Sequence, residues 1–319
     1  MRKNRQSTRL AVIAIGGNSL ISDSSHMSVP DQYRAAGETS RHISALIRDG
    51  YRVVVTHGNG PQVGFILLRS EMAKDKLHSV PLESCVADTQ GAIGYQIQQT
   101  LRNEMRRMGI QKEAVTVVTQ SVVSAKDPAF QKPTKPIGPF YTEEQARAHE
   151  VKDGWTVRED AGRGWRRVVP SPEPMEIIEE PIIKALLEQD IIVIAVGGGG
   201  IPVTRDRAGR LRGCAAVIDK DAASSLLAGH LKADLLIIST AVDCVYIRYG
   251  KPNQEALRDI TLADALRYTA EGHFAAGSML PKIQAAVRYL QAGGKRVIIT
   301  QPHLLEEAVA GKTGTHITP

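Results

Sequence analysis

The sequence predicts an α/β protein built on a mainly parallel open sheet with covering helices. Short β-rich apolar runs alternate along the chain with amphipathic stretches of helical length, the pattern of strand–helix crossovers. Three of those runs end directly in glycine-rich turns, where a strand hands over to a helix in such folds. The 319 residues, 42% hydrophobic and 23% charged, suffice for a real core and exclude a disordered or collagen-like chain.

The first strand is expected at Leu10–Ile15, followed by a helix at about Gln32–Arg48. Further strands are expected at Tyr51–Thr56, Val115–Thr119, Ile191–Val196, Leu235–Ser239 and Arg296–Thr300. Helical stretches fall at about Pro61–Ala73, Val86–Met108, Ile177–Glu188, Asp221–Leu231 and Pro281–Gln291. In the last of these, Ile283, Ala286, Val287 and Leu290 recur at the spacing of one helix face. From about Ser124 to Pro174 the alternation stops, and the segment holds seven prolines and both tryptophans, Trp155 and Trp165. A structureless stretch of that length is improbable in a compact domain. It reads as an inserted lid with short strands and a small tryptophan-based core.

The formal net charge of +6 invites a nucleic-acid reading, but its location argues otherwise. Residues 1–9 (MRKNRQSTR) carry Arg2, Lys3, Arg5 and Arg9 without an acid, leaving +2 for the remaining 310 residues. No aromatic residue is interleaved with these bases, so no nucleic-acid partner is expected. The tail and LAVIAI resemble a signal peptide only superficially, because the apolar run is six residues long and no A-x-A-like site follows. A basic flexible tail over residues 1–9 is expected instead. No apolar run approaches a membrane span, so no membrane association is expected. Cys85, Cys214 and Cys244 form neither a disulfide framework nor a zinc pattern, which fits a cytoplasmic location.

The chemistry is concentrated where strands end. Ile15 leads into Gly16-Gly17-Asn18, Thr56 into His57-Gly58-Asn59-Gly60, and Val196 into Gly197-Gly198-Gly199-Gly200. At the carboxyl edge of a parallel sheet, such turns let backbone N–H groups approach an anion closely. Three on one edge point to a phosphate-handling surface. No Walker A loop, dinucleotide GxGxxG, kinase HRD/DFG set, HExxH or GxSxG is present. Two lysines remain conspicuous: Lys220 in VIDKD, where the chain enters a helix, and Lys282 in the first turn of another. Phosphoryl transfer depends on neutralising charge on the transferring oxygens, which lysine ammonium groups and backbone N–H groups can do. An Asp beside them would hold the lysines in place.

At these residues the chain resembles the amino-acid kinase superfamily, and within it the carbamate kinases. The matching segments include AIGGNSL (14–20), THGNGPQVG (56–64), QGAIGY (90–95), PTKPIGPFY (133–141) and GRGWRRVVPSP (162–172). GGGGIPV (197–203), AAVIDKD (215–221), GHFAAGSM (272–279) and GKTGTHI (311–317) continue the series in family order. The resemblance implies a three-layer αβα sandwich with a small protruding subdomain. It divides the chain into an N-terminal phosphoryl-acceptor lobe over 10–123 and 175–228, a lid over 124–174 and a nucleotide-binding lobe over 229–319. The implied reaction is reversible phosphoryl transfer between carbamoyl phosphate and ADP, giving ATP and carbamate, in fermentative catabolism of arginine or related nitrogen compounds. A homodimer is also implied.

Carried over by position, Lys220 and Lys282 are implied to stabilise the transferring phosphoryl group and Asp221 to orient them. Gly16, Gly17, Asn18, Gly58, Asn59, Gly198 and Gly199 are implied to surround phosphoryl group and carbamate, with Lys135 reaching down from the lid. Tyr246, Lys251, Phe274, Ala275 and Met279 are implied near the nucleotide. Mg²⁺ is expected on the nucleotide's own phosphates and water, with no protein metal motif. The chain departs from the family pattern at Ala241 and Leu280, on the nucleotide side, and at Asp88-Thr89. Two other readings are carried: a kinase for another small carboxylate or carbamate-like acceptor, and a silent nucleotide-sensing paralogue. The intact Lys220, Asp221 and Lys282 argue against the latter.

Overall fold

Leu10–Ile15 lies inside an eight-stranded sheet in the computed structural model, which describes residues 9–16, 27–160, 162 and 164–319. The strand order is Asp259–Thr261, Thr315–Thr318, Val297–Thr300, Leu235–Ser239, Leu10–Ile15, Arg52–His57, Ile192–Ile194, Ala114–Thr116. Every neighbouring pair runs parallel except Val297–Thr300 with Thr315–Thr318. All six strands expected from the sequence are present; the two at the far edge were not anticipated.

Successive strand residues point to opposite faces, and both faces here are apolar. Ala11, Ile13 and Ile15 face one core with Val53, Val55 and Ile298, covered by Ile43 and Leu46 of helix Val29–Arg48 and Ile93, Ile97 and Leu101 of helix Leu82–Arg107. Leu10, Val12, Val54, Leu236 and Ile299 face the other core. Ala223 and Leu227 of helix Lys220–His230 cover it, together with Ile283, Ala286 and Leu290 of helix Met279–Gln291. Helix, sheet and helix thus form three layers of an αβα sandwich.

Three smaller sheets accompany the main one among the described residues, one of them the antiparallel pair Val245–Ile247 and Glu255–Leu257. Leu211–Gly213, Ile201–Arg205, Gln120–Val123 and Pro174–Ile177 form a four-stranded sheet. Its strand Pro174–Ile177 takes Ile177 from the expected helix, which starts at Glu180 with Pro181 in its first turn. Proline suits that position because its missing N–H is not needed there. Lys135–Tyr141, Trp165–Val169 and Thr156–Glu159 form a three-stranded antiparallel sheet. Helix Glu143–Asp153 packs beside it, started by a Thr142–Gln145 capping box and ended by left-handed Gly154. Both tryptophans join its small core with Tyr141, Ala146 and Val157, and the His149 ring stacks on Trp155 at 4.0 Å.

Candidate active site

Parallel pairing brings the glycine turns to one edge. Ile15 pairs in register with His57, and the Gly58 N–H donates to Ile15 O at 3.0 Å. Val55 pairs with Ile194, so Gly197–Gly199 follow on the same edge. Gly16, partly buried, and Gly58 and Asn59, fully buried, lie there, while Gly17 and Asn18 fall outside the described residues.

The tetraglycine turn is built for contact. Val196 enters it at φ 54°, a costly left-handed conformation for a β-branched residue. The Thr119 hydroxyl accepts its N–H at 3.0 Å, and Gln90 donates to both Thr119 O and Gly197 O. Gly198 also has positive φ, 65°, and a Cβ there would lie 2.0 Å from Asn59 Nδ2. A Cβ on Gly199 would lie 2.8 Å from Ile218 O. The turn therefore touches Asn59 on one side and the Ile218–Asp221 segment on the other. Asn59 is fixed in turn by donating to Thr89 Oγ1 at 2.8 Å.

Lys220 opens its helix and extends back to the central strand, donating to Ala14 O at 3.0 Å. Its Nζ also stands 3.0 Å from Asp221 Oδ1, and Lys282 Nζ donates to Asp221 Oδ2 at 3.0 Å. One nearly inaccessible carboxylate thus bridges two lysines that start different helices. Burial pulls the Lys220 ammonium down to about 8, despite the attraction of Asp221. Burial also opposes charge on Lys282, but Asp221 beside it wins and raises it above the usual lysine range. Asp221 resists ionisation through burial, yet the two lysines hold it below the usual carboxylate range.

Asp219, which flanks Lys220 in VIDKD with Asp221, received no role of its own from the sequence, although an acid just before an apolar-periodic run is a helix-start signal. It caps the Lys220 helix: its Oδ1 accepts the N–H groups of Asp221 and Ala222 at 2.9 and 3.2 Å. Its Oδ2 accepts from Lys135 Nζ at 2.6 Å, bringing the first residue of strand Lys135–Tyr141 to the same cluster. Burial resists its ionisation, and Lys135 overrides that and holds Asp219 well below the usual carboxylate range.

Each ammonium has three donors. Lys220 uses one on Ala14 O, Lys282 one on Asp221 and Lys135 one on Asp219, so among the described residues the cluster keeps donors for an incoming anion. His57, also missed, is buried beneath the turns with Nδ1 3.1 Å from Gly58 O. Burial lowers its pKa to about 4, so it is neutral near pH 7.

The residues expected near the nucleotide are more dispersed. Tyr246 donates through its hydroxyl to Asp243 Oδ1 at 2.8 Å, and Lys251 is exposed in a turn. Phe274 is buried in the second core, Ala275 is exposed, and Met279 is the first residue of the helix carrying Lys282. Among the described residues no hydrogen bond or ion pair joins Tyr246 or Lys251 to the lysine cluster. Among the described residues no three His, Cys, Asp or Glu side chains gather as a metal site, and no helix is long and apolar enough to cross a membrane.

Residues 9–301 match the amino acid kinase family. The chain is 51% identical to the carbamate kinase-like protein YahI of Escherichia coli K12, over 97% of this chain and 98% of that protein. It is 49% identical to the carbamate kinase of Pyrococcus horikoshii, again over 97% and 98%. The solved carbamate kinase from Giardia lamblia bound to AMP-PNP aligns with a TM-score of 0.90 at 43% identity, covering 98% of this chain and 99% of that one.

Proposed function

The chain belongs to the amino acid kinase family, and we propose that it is a carbamate kinase, transferring a phosphoryl group between carbamoyl phosphate and ADP to give ATP and carbamate. The observation that carries this reading is the Asp221 carboxylate bridging Lys220 and Lys282 at the edge where the glycine turns meet. In-line phosphoryl transfer spreads charge over three equatorial oxygens, and fixed donors aimed there lower the barrier without reorganising. Lys220 and Lys282 supply those donors, and Asp221 keeps both ammonium groups pointed inward. Gly16, Gly17, Asn18, Gly58 and Asn59 are assigned to the surroundings of phosphoryl group and carbamate, with Gly198 and Gly199 on the acceptor side. Lys135 contacts the substrate from the lid, residues 124–174.

ADP sits on the lobe formed by residues 229–319, near Tyr246, Lys251, Phe274, Ala275 and Met279, with 10–123 and 175–228 holding the acceptor. Asp219 and Asp221 are already engaged by lysines and backbone N–H groups, which fits Mg²⁺ arriving on the nucleotide's phosphates and not on a protein ligand set. Bound that way, the ion would neutralise phosphate charge. The protein works as a cytoplasmic homodimer without nucleic-acid or membrane partners.

A second reading, another small carboxylate or carbamate-like acceptor, is favoured by one fact: the 51% identical relative is named only as carbamate kinase-like. A panel of acyl phosphates and acceptors, read by coupled nucleotide assay, separates the two. Carbamoyl phosphate as the preferred donor to ADP supports the first reading, and preference for another acyl phosphate replaces it with the second.

A further inference from the structure

Helix capping alone does not call for a carboxylate at position 219. Ser, Thr or Asn caps about as well as Asp, because one side-chain oxygen suffices. In this protein Asp219 Oδ1 does all the capping, and Oδ2 is turned instead to Lys135. The backbone around Lys135 is already held to the same segment. Lys135 pairs in register with Val169, and the next residue, Pro170, accepts the Val217 N–H through its carbonyl at 3.0 Å. Ile137, Val169 and Val217 share one apolar cluster beneath. The lid strand is therefore anchored two residues from Asp219, but a long lysine side chain on it still has its rotamers free. Among the described residues it is Asp219 that holds its ammonium.

We propose that Asp219 is a positioning residue for the lid lysine, orienting Lys135 toward the phosphoryl site as Asp221 orients Lys220 and Lys282. The assignment rests on the phosphoryl-transfer reading of the cluster. Two acid–lysine units then meet at one helix start: Asp221 with Lys220 and Lys282, and Asp219 with Lys135. Lys135 keeps two N–H donors after satisfying Asp219, and these remain for phosphate oxygens. Three lysines against two aspartates leave the cluster with one net positive charge for an anionic substrate. The outer pair is the more accessible, with a quarter of each side chain exposed against 3% for Asp221, as suits a lysine carried by a lid.

The test is a double-mutant cycle over the full-length protein with Asp219→Asn, Lys135→Met and both together. Asn keeps the capping oxygen and loses the charge facing Lys135, so the melting temperature of Asp219→Asn should stay near wild type. Each single variant is expected to raise KM for carbamoyl phosphate about tenfold while KM for ADP moves less than about twofold. The double variant should be no worse than Lys135→Met alone. Multiplying effects, equal shifts in both KM values, or unchanged kinetics in Asp219→Asn would overturn the proposal. Should the Asn variant fail to fold, Asp219→Ser keeps a capping oxygen with none left for Lys135, and the same KM split is expected of it. Calorimetric binding of inorganic phosphate by the same proteins repeats the cycle without chemistry, with a loss of about tenfold in each variant expected. A wild-type protein that binds phosphate but makes no ATP sinks the functional reading and leaves Asp219 to be judged on the binding cycle. No phosphate binding by the wild type overturns both.

Discussion

Gly64 meets Gly138 backbone to backbone: a Cβ on Gly64 would lie 1.9 Å from Gly138 Cα and 2.4 Å from its N. Gly64 lies in helix Gly60–Met72, just after the His57–Asn59 turn, and Gly138 in the lid strand three residues beyond Lys135. This contact seats the strand Lys135–Tyr141 on the helix that follows the His57–Asn59 turn. Gly64→Ala has no flexible side chain to displace there, so the lid strand itself must move. A shift of that order costs roughly tenfold to a hundredfold in activity. Faster amide hydrogen exchange over residues 135–141, with a weaker carbamoyl phosphate response, is the expected signature. Unchanged exchange and kinetics would show that the lid is seated otherwise.

In the proposed role Lys220 must be an ammonium, and burial brings it down to about 8. The pH profile of kcat/KM reports groups of the free enzyme. It is expected to fall above pH 8, approaching tenfold per unit, as Lys220 deprotonates. Lys220→Arg keeps its charge in that range, so the alkaline fall should vanish although the rate drops. The same fall in the Arg variant would assign it to another group.

His57 predicts an acid weakness in stability. Its pKa is about 4 when folded against an ordinary 6.5, so below 6.5 the unfolded chain binds more protons. Stability is complete above pH 6.5 and declines as pH falls towards 4, by at most about 3 kcal/mol from this group. In His57→Gln the denaturant midpoint should depend less on pH across that window. Parallel pH curves for the two proteins would refute the assignment.

Asp221 holds two buried ammonium groups, and breaking a buried pair by removing one partner leaves charge uncompensated. Asp221→Ala is expected to cost about 3–5 kcal/mol in unfolding free energy. Equilibrium urea unfolding measures it, and a loss below about 1 kcal/mol, the range of surface pairs, would mean that the lysines find water or other partners.

The central strands and main helices were legible because strands buried on both faces read as continuous apolar runs, as in LAVIAI and LLIIS. Asp259–Thr261 and Thr315–Thr318 were not, because DIT and THIT mix polar residues at the sheet edge and carry no run. Gln120–Val123 was missed for another reason: the expected strand at Val115–Thr119 stops just short of it, and nothing local marks QSVV as a separate strand of a different sheet. In the site, Lys220, Asp221 and Lys282 were legible from local context. Asp219 and His57 were not, since their weight comes from Lys135, 84 residues away, and from the buried turn at Gly197. Contacts of that range leave no local spacing to read.

The most direct test of the account is ATP formation from ADP and carbamoyl phosphate, with Mg²⁺, by the purified protein and its Lys220→Ala variant. The wild type should form ATP, and the variant should do so about 10²–10³ times more slowly, the scale of losing one preorganised electrostatic group. No ATP from the wild type, or near wild-type turnover in Lys220→Ala, would contradict it.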